Sequence, residues 1–418
     1  MIDPVTDLLR QPDSGGSGGP VPQGTSVIVT GQQPAVGGGP LYTLVKTAHA
    51  VALARQVAAA GRPCRAVHWI ASEDHDAGEA NHADLVGRDG RIRRVTADLG
   101  HGRAALRHRP AAAGWNDLLE DLEQHCGPGP GRDFLLRQAP LPEEGWGSWQ
   151  GRWLRACFPD LITVEPQQLR MAGATSLRRV VAGWDGLRNA LVDHGWEGFF
   201  GTPDAPPLFE DLPTGRRALT CPEALALLAS APERVSTGAG LRPLLQQATL
   251  PVLASIVGPG EAAYHRALGP IFTTAGIAAP RLVPRIQATL APAWYLRACA
   301  AWQGDPATGL APEPTPASRH EALMRLDALV EALDGNPDLA GHRRRIAAIG
   351  QRLERRLTPR PHAVPRGVLG AWARPRNQPQ DRVMSCAQAL WEWGPGVAEL
   401  LVKTAEGTAP GVNALVRP

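Results

Sequence analysis

The sequence has no long apolar run and almost no net charge. Nowhere do enough apolar residues follow one another, about 18, to predict a membrane-spanning helix. The opening segment, MIDPVTDLLRQPDSGGSGGP, lacks the basic and apolar regions of a secretory signal. Basic residues number 43 and acidic residues 40 among 418, without any basic block, so neither nucleic acid nor a membrane is indicated as a partner. We expect a globular cytoplasmic protein.

Cysteine is scarce and scattered. The 6 cysteines form no CxxC pair, the spacing that is typical of zinc and redox sites. We predict reduced core thiols rather than disulfides or a zinc cluster. They are Cys64, Cys126, Cys157, Cys221, Cys299 and Cys386.

The segment from Val27 to Lys46 predicts a buried strand, a glycine-rich loop and a helix in succession. The apolar, β-branched run at 27–29 is typical of a parallel strand that is covered on both faces. Three glycines at 37–39 allow positive φ or a close approach of the backbone to a ligand, and a helical apolar pattern then continues to about Ala60. Because ligands bind at the carboxyl ends of strands in open α/β sheets, we expect Thr30 to Tyr42 to lie in the site.

This segment carries no recognisable nucleotide-binding motif. The GxGxxG pattern is absent, and the glycines are not followed by the Lys-Ser/Thr of a Walker loop. A phosphate cradle and a purely structural turn therefore both remain open.

The strand-to-helix pattern recurs and predicts an α/β fold with a parallel sheet. Further buried strands are expected at 66–71, 161–164, 251–257 and 282–285. Two apolar stripes separated by Gly335-Asn336-Pro337 predict a short helical hairpin, which either packs on its own core or forms an oligomer contact. The predicted segments are a flexible leader at 1–26, core segments at 27–100, 161–198 and 241–290, inserted subdomains at 101–160 and 199–240, the hairpin at 291–365, and a C-terminal segment at 366–418.

The densest polar group follows the predicted strand at 66–71. It consists of Glu73, Asp74, His75, Asp76, Glu79, Asn81 and His82. Such a cluster can hold an ammonium group, orient His75 as a general base or bind a divalent cation. A solvated helix start, capped by Ser72, is the structural alternative. The HExxH spacing and a cysteine ligand are both missing, so we predict no zinc site.

A series of short motifs resembles one known family. The motifs are TGQQ at Thr30, GPLYT at Gly39 followed by Lys46, SEDHD at Ser72, EANH at Glu79, LRPL at Leu241, GPGEAAY at Gly258, PRIQATL at Pro284 and QDR at Gln380. Their order and spacing are similar to those of the cysteine-adding enzymes of bacillithiol biosynthesis, the BshC family. The resemblance covers 27 to about 395, and it implies a Rossmann-like core with connecting insertions and a C-terminal coiled coil that dimerises.

The resemblance also implies an activity. A member of this family would join cysteine to glucosaminyl-malate by amide formation, and activation of the cysteine carboxyl implies ATP, released as ADP or AMP, with Mg²⁺. Implied pocket residues are Thr30, Gly31, Gln32, Gln33, Asn81, His82, Gly258, Gly260, Glu261 and Tyr264. Implied contacts to anionic groups are Tyr42, Lys46, Arg242, Arg285 and Arg382. Glu73, Asp74 and Asp76 would hold an ammonium group or Mg²⁺, and His75 or His82 would be the base.

Some features depart from the family pattern. SEDHD replaces the more usual TEDHD, three glycines precede Pro40, and the hairpin is short, which weakens the expectation of a homodimer. Two alternatives to the ligase are a metal-dependent hydrolase acting through His75, Asp76 and His82, and a noncatalytic binding paralogue.

Overall fold

The computed structural model describes residues 4–9, 20–100, 102–302, 306, 316–333, 340–357 and 366–418. Two predictions fall at least partly outside these ranges: most of the flexible leader, and the break at 335–337 in the helical hairpin. Among the helices that the structure describes, none combines the length and apolar character needed to cross a membrane.

The strands are short and fall into four sheets. They are β1 (Ser26–Gln32), β2 (Cys64–Ile70), β3 (His82–Val86), β4 (Ile92–Thr96), β5 (Ile162–Val164), β6 (Leu208–Leu212), β7 (Gly215–Ala218), β8 (Val235–Thr237), β9 (Val252–Val257), β10 (Leu282–Pro284), β11 (Gln287–Leu290) and β12 (Asn413–Val416).

The helices of the first half follow the strands or fill the insertions. They are α1 (Pro4–Leu9), α2 (Tyr42–Ala59), α3 (Ala77–Ala80), α4 (Trp115–Cys126), α5 (Arg132–Arg137), α6 (Trp146–Cys157), α7 (Arg170–Ala182), α8 (Trp184–Asp193) and α9 (Glu197–Phe200). Those of the second half are α10 (Cys221–Ser230), α11 (Arg242–Thr249), α12 (Pro259–His265), α13 (Gly269–Ala275), α14 (Ala293–Trp302), α15 (Pro316–Ala332), α16 (Ala340–Leu357), α17 (Arg366–Ala373), α18 (Gln380–Val383), α19 (Cys386–Trp393) and α20 (Gly396–Glu406).

A five-stranded parallel sheet in the order β10-β9-β1-β2-β5 forms the core. Its apolar strand residues are buried on both faces: Ile28 packs on the α2 side, whereas Val27 and Val29 pack with Leu245 of α11 on the other. This two-sided burial is why the strands are continuous apolar runs instead of alternating ones. The predicted α/β fold with a Rossmann-like parallel sheet is confirmed.

The strand order reverses between β1 and β9. From β1 the chain extends the sheet through β2 to β5, and it then returns to place β9 on the opposite side of β1. At this point the connection that follows one strand runs over one face of the sheet, and the connection that follows the other runs over the opposite face. The divergence opens a crevice at the carboxyl ends of the two strands. The topology alone therefore locates the candidate site.

Helix α2 lies at the centre of the molecule. It packs against β1 and β2 on one side and α20 on the other, and residues from Thr43 to Ala54 are buried almost without interruption. The covering helix α20 was not predicted from the sequence, although Val397, Leu401 and Val402 form its buried stripe. A helix that is covered on both sides holds its N-terminal residues firmly at the sheet edge.

The glycine loop between β1 and α2 is packed into the protein. Gly37, Gly38 and Gly39 all have φ between 65° and 79°, as the sequence predicted. A Cβ atom on Gly38 would lie 2.4 Å from the ring of Trp153, and one on Gly37 would lie 3.2 Å from Leu118. Of the two interpretations left open, the structural turn is therefore the one that the packing supports.

The inserted segments are packed subdomains. Trp149 contacts Trp115, Trp146 and Trp153 with ring centroids 5.5, 5.6 and 6.0 Å apart, so these tryptophans form a core and no ligand cage. The sequence predicted no strand in the second insertion, but β6, β7 and β8 form an antiparallel sheet there. The helical segment that follows β5 is divided into α7 and α8 at Gly183.

Parts of the outer segments are also described. In the predicted leader, α1 is helical, Leu8 is fully buried, and Arg62 donates from Nη1 to the Leu8 carbonyl at 3.0 Å, so the chain is ordered there. Helices α15 and α16 contact each other; their role as a dimerising coiled coil stays a prediction.

The cysteines, all of which the structure describes, form no disulfide, and Cys64, Cys157, Cys299 and Cys386 are buried, as predicted.

We predict that Gly38→Ala destabilises the protein more than Gly24→Ala does. Both glycines are the third residue of a hydrogen-bonded turn and have positive φ, at 79° and 74°, so both variants carry a backbone cost of about 1 to 2 kcal/mol. Only at Gly38 does the new methyl group collide with Trp153, whereas no atom lies within 4 Å of it at Gly24. Overpacking adds about 1 to 3 kcal/mol, measurable by urea unfolding. Equal losses in the two variants would contradict this packing role.

Candidate functional site

A cavity of about 700 Å³ lies at the crevice between the carboxyl ends of β1 and β9. Its walls come from these strands, the N-terminal residues of α2, α11 and α12, the loop after β2 and the C-terminal segment around α18. The predicted site residues that line it are Thr30, Gly31, Gln32, Gln33, Tyr42, Lys46, Asp74, Arg242, Gly258, Gly260, Glu261, Tyr264, Arg285 and Arg382. Such a volume is in the range of small-molecule sites.

Lys46 joins the two sides of the crevice. Its side chain is only 2% exposed, and Nζ donates to the Gly31 carbonyl at 2.6 Å and to Glu261 Oε1 and Oε2 at 3.0 and 2.8 Å. Glu261 Oε2 also accepts the Gly258 backbone N–H at 2.7 Å. The charge of Lys46 is therefore already paired, and the implied contact between Lys46 and an anionic substrate group is not available while Glu261 holds it.

Arg285 is likewise paired but still shapes the wall. Its Nη1 donates to Asp381 Oδ2 at 2.5 Å and to the Ile286 carbonyl at 2.8 Å. The guanidinium carbon lies 5.3 Å from the ring centre of Tyr42, within the distance for a cation–π contact. Burial, with nearby Glu79 and Glu261, raises the pKa of Tyr42 to about 12. Tyr42 is thus a neutral phenol that accepts a hydrogen bond from Gln32 Nε2 at 3.3 Å.

Asp74 and Arg242 form the polar wall opposite α12. Arg242 Nη2 lies 3.5 Å from Asp74 Oδ2, and Asp74 Oδ1 accepts the His75 backbone N–H at 2.8 Å. Burial by itself would raise the pKa of Asp74, but Arg242, Arg216 and the backbone N–H groups of the loop together lower it. Asp74 is therefore an anion that can receive a cationic substrate group.

Glu79 faces the cavity from the rim next to Asp74. Partial loss of solvent, together with the carboxylates of Asp76 and Asp74, raises its pKa. A carboxylate with a raised pKa accepts protons better than an ordinary one. Glu79 therefore combines an accessible position with the basicity that proton transfer needs.

The end of β1 shapes the cavity through hydrogen bonds to its neighbours. Thr30 Oγ1 donates to the Ile256 carbonyl of β9 at 3.1 Å, and Gln33 Nε2 donates to the Asp76 carbonyl at 2.9 Å. These bonds tie β1 to β9 and to the loop after β2, as expected for residues that hold a binding site in shape.

The structure divides the predicted polar cluster, and several of its members do not reach the cavity. Glu73 is fully buried, and Arg170 Nε donates to its Oε1 at 2.7 Å, so its predicted contact with substrate or Mg²⁺ does not fit. Asp76 caps α3 by accepting the Glu79 backbone N–H at 3.2 Å. The sequence could not separate these roles, because the residues are adjacent and chemically alike.

The two candidate bases also lie outside the cavity lining. Burial, with Arg216, lowers the pKa of His75 despite the neighbouring Asp74, which keeps the ring neutral, but His75 does not line the cavity. His82 Nδ1 lies 3.1 Å from Asn81 Oδ1, and neither of these residues lines it. The assignment of His75 or His82 as the base therefore loses its geometric basis.

The arrangement gives no support to the hydrolase alternative. Within the described ranges, no group of three or more His, Cys, Asp or Glu side chains is placed to hold a metal ion. His75 and Asp74 approach to 3.9 Å, but His82 is occupied with Asn81.

Comparison with known proteins agrees with the geometry. The family model "Bacillithiol biosynthesis BshC, N-terminal Rossmann-like domain" matches residues 21–140 and 211–286, which include β1, β2 and β9 and most of the cavity wall. Over these two segments the chain resembles the BshC family.

Curated BshC relatives share this similarity, and each carries the name "Putative cysteine ligase BshC". The relative from Koribacter versatilis is 32% identical over 298 residues, which is 64% of this chain and 55% of the relative. The relative from Halalkalibacterium halodurans is 29% identical over 342 residues, which is 73% of this chain and 63% of the relative. The relative from Exiguobacterium sibiricum is 27% identical over 291 residues, which is 63% of this chain and 56% of the relative. The matches span about half the length of these BshC relatives.

The structure adds cavity residues that the sequence analysis did not assign to the site. Glu79 stood in the EANH motif without a role, and His265 directly follows Tyr264, on which it stacks with ring centres 5.0 Å apart. Ser255 and Gln378 also line the cavity. The sequence offered a signal for Glu79 and His265, since Glu79 lies in a motif and His265 directly follows one. It offered none for Ser255, which lies within an apolar strand.

We predict strong energetic coupling between Lys46 and Glu261. A double-mutant cycle with Lys46→Met and Glu261→Gln should give about 1 to 3 kcal/mol in unfolding free energy, because Lys46 is buried and its charge is paired with Glu261. Arg55 and Glu399, 38% and 50% exposed and 3.0 Å apart, link α2 to α20. They provide the matched control, with coupling below about 1 kcal/mol. Similar coupling in both pairs would refute the proposed importance of the buried bridge.

We predict that the stabilisation from Asp74 is lost in acid. The folded pKa of Asp74 is lowered below that of the unfolded chain, about 3.9. Its contribution is therefore complete above about pH 4 and disappears as the pH falls through the folded value. The stability difference between wild type and Asp74→Asn should shrink over that acid range in unfolding measurements. Asp193→Asn, at the exposed end of α8, is the control for the loss of one negative charge. If the stability difference between wild type and Asp74→Asn did not change with pH, the result would count against the Asp74–Arg242 pair.

Proposed function

We propose that this protein is a cysteine ligase of bacillithiol biosynthesis that joins cysteine to glucosaminyl-malate by an amide bond. The observation that carries the proposal is the meeting of Asp74 and Glu79 with Arg242 and Arg382 around one cavity. The name of the curated relatives supports the same activity.

The cavity suits substrates that carry both an amine and carboxylates. Asp74 is an anion within reach of a substrate ammonium group, and Arg242 and Arg382 present guanidinium groups to carboxylates. Cysteine has one ammonium and one carboxylate, and the malate part of the acceptor has two carboxylates. Groups of opposite charge in one cavity would orient the two substrates relative to each other.

Amide formation requires a free amine, so the glucosamine ammonium must lose a proton. We assign Glu79 as the acceptor of this proton, since it lines the cavity and has a raised pKa. The amine nitrogen then forms the C–N bond to the activated carboxyl carbon of cysteine. The C–O bond to the activating group breaks, so that one carboxyl oxygen leaves as part of phosphate or AMP, and the nitrogen releases its second proton to solvent. Glu79 replaces His75 in this role because His75 does not line the cavity.

Activation of the cysteine carboxyl implies ATP as co-substrate, because a free carboxylate and an amine do not condense spontaneously in water. The residues of the cavity do not form a phosphate cradle: the glycine loop is buried against Trp153, and Lys46 is paired with Glu261. We therefore assign no residue to the nucleotide. The proposal that ATP is required rests on the energetics of amide formation.

The direct test supplies purified protein with cysteine, glucosaminyl-malate, Mg²⁺ and ATP. Mass spectrometry follows the thiol product, and chromatography follows ADP and AMP. Bacillithiol formed together with either nucleotide supports the ligase and distinguishes phosphorylation from adenylation. Absence of the thiol, with cysteine still bound, would favour the noncatalytic paralogue.

We predict that Glu79→Gln lowers kcat roughly a hundredfold, the scale of general base catalysis, with a smaller change in KM. Gln keeps the shape of the side chain but accepts no proton. Glu120→Gln, on the exposed face of α4, is the matched control and should keep wild-type kcat. His75→Ala is measured in parallel: a loss of kcat in His75→Ala but not in Glu79→Gln would return the role of base to His75.

A further inference from the structure

A group of buried polar atoms beside the cavity makes no hydrogen bond within the described part of the chain. Arg216 Nε, Arg242 Nε and His75 Nδ1 are buried and without a partner there. Buried donors without partners typically cost about 1 to 3 kcal/mol each, so proteins rarely retain several together. Two guanidinium N–H donors and one imidazole nitrogen without partners indicate a site where a ligand supplies the missing hydrogen-bond partners.

The contacts of Asp74 show that these atoms lie together. Arg242 Nη2 and His75 Nδ1 are 3.5 and 3.9 Å from the carboxylate oxygens of Asp74. Arg216 Nη2 donates to the Thr237 carbonyl at 3.2 Å, and the Thr237 backbone N–H lies 3.3 Å from Oε2 of Glu73, the residue next to Asp74. Two arginines from different elements, β7 and α11, thus approach one loop.

Arg216 is held in place by packing. Its guanidinium carbon lies 4.1 Å from the ring centre of Phe209, and the residue is only 7% exposed. Ser236 pairs with Phe209 across the β6–β8 ladder, is fully buried, and has an Oγ atom without a partner in the described ranges. A rigid guanidinium flanked by a spare hydroxyl is suited to a planar acceptor with two oxygens.

Arg216 forms no ion pair within the described ranges, although the guanidinium groups near it do. Asp211 accepts from Arg107 Nε at 2.7 Å and from Arg170 Nη2 at 2.5 Å, and Arg170 also pairs with Glu73. Arg242 lies 3.5 Å from Asp74, whereas the bond given for Arg216 runs to a backbone carbonyl. A carboxylate would supply the anionic partner that Arg216 lacks, and its two oxygens match the fork of a guanidinium group.

We infer that Arg216 and Arg242 bind a carboxylate of the acceptor substrate, in a subsite that adjoins the cavity at Asp74 and Arg242. The inference rests on the proposed function. The carboxyl group of cysteine must stay accessible to the amine and to activation, so the group held between two buried arginines is a non-reacting one, in the malate part of the acceptor. Arg216 is thereby a specificity-determining residue that distinguishes a carboxylated sugar from a plain one.

The test measures binding without turnover. Isothermal titration of the full chain compares glucosaminyl-malate with glucosamine, which lacks the carboxylates, and with inorganic phosphate. Wild type should bind glucosaminyl-malate at least tenfold more tightly than glucosamine, and Arg216→Gln should lose that difference. Arg217→Gln, the neighbouring residue on β7, whose side chain pairs with Glu210 and Glu223, is the matched control and should retain it.

Circular dichroism and thermal unfolding establish that each variant is folded. If Arg216→Gln does not fold, Arg216→Lys decides, since it keeps the charge but loses the second donor of the fork; its affinity for glucosaminyl-malate should also fall. A folded variant at Arg216 that binds glucosaminyl-malate as tightly as wild type overturns the inference. So does a preference of wild type for phosphate, which would assign the arginines to a phosphoryl group.

The two proposals can fail separately. If Arg216→Gln loses binding but wild type forms no bacillithiol, the carboxylate subsite stands and the ligase assignment falls. If wild type forms bacillithiol and Arg216→Gln does so with an unchanged KM for glucosaminyl-malate, the ligase stands and the subsite falls.

Discussion

The buried bridge from Lys46 to Glu261 is the interaction on which the candidate site depends. The sheet splits between β1 and β9, and strands that diverge in this way leave exposed backbone groups at their carboxyl ends. Lys46 satisfies one of these, the Gly31 carbonyl, while its charge pairs with a carboxylate from α12. Removing a lysine from water is costly unless its donors are satisfied, and here Gly31 and Glu261 are its acceptors. The bridge therefore joins the two sides of the crevice, and Tyr42, Asp74 and Arg242 line the same cavity as Lys46.

A second buried network fixes the insertion to the core. Arg170, at the start of α7, pairs with Glu73 after β2 and with Asp211 on β6. Breaking a buried pair by removing one partner is far more damaging than losing an exposed one. Because Glu73 is covalently next to Asp74, this network also sets the position of the carboxylate that faces the cavity. The polar cluster thus has two functions: one carboxylate anchors the insertion, and the next one serves the site.

The sequence predicted the part of this molecule that depends on local pattern. The apolar run at 27–29, the helix from Tyr42 and the strand-to-helix repeats follow from burial and periodicity, so the parallel core and its functional edge were predictable. Strands β6 and β7 were missed because Glu210, Asp211, Arg216 and Arg217 give them the appearance of a solvated loop; only the distant partners of these charges make a sheet possible. The roles of Glu73 and Asp76 could not be separated from that of Asp74, because pairing with Arg170 and capping of α3 are tertiary facts.

The C-terminal segment shows why the candidate site extends beyond the Rossmann-like domain. The family model ends at residue 286, yet Gln378 and Arg382 line the cavity and Asp381 orients Arg285. Gln380 fixes this segment by accepting the Leu290 backbone N–H at 2.7 Å and donating to the Trp372 carbonyl at 2.9 Å. Arg376 and Asn377, at φ of 51° and 58°, adopt the left-handed conformation that is unfavourable for residues other than glycine. Such a conformation persists only where surrounding contacts impose it, and here Arg376 Nη1 donates to Asp84 Oδ2 at 2.8 Å. The chain thus accepts local strain to bring Arg382 to the cavity, which indicates that the position of this segment matters to binding as well as to folding.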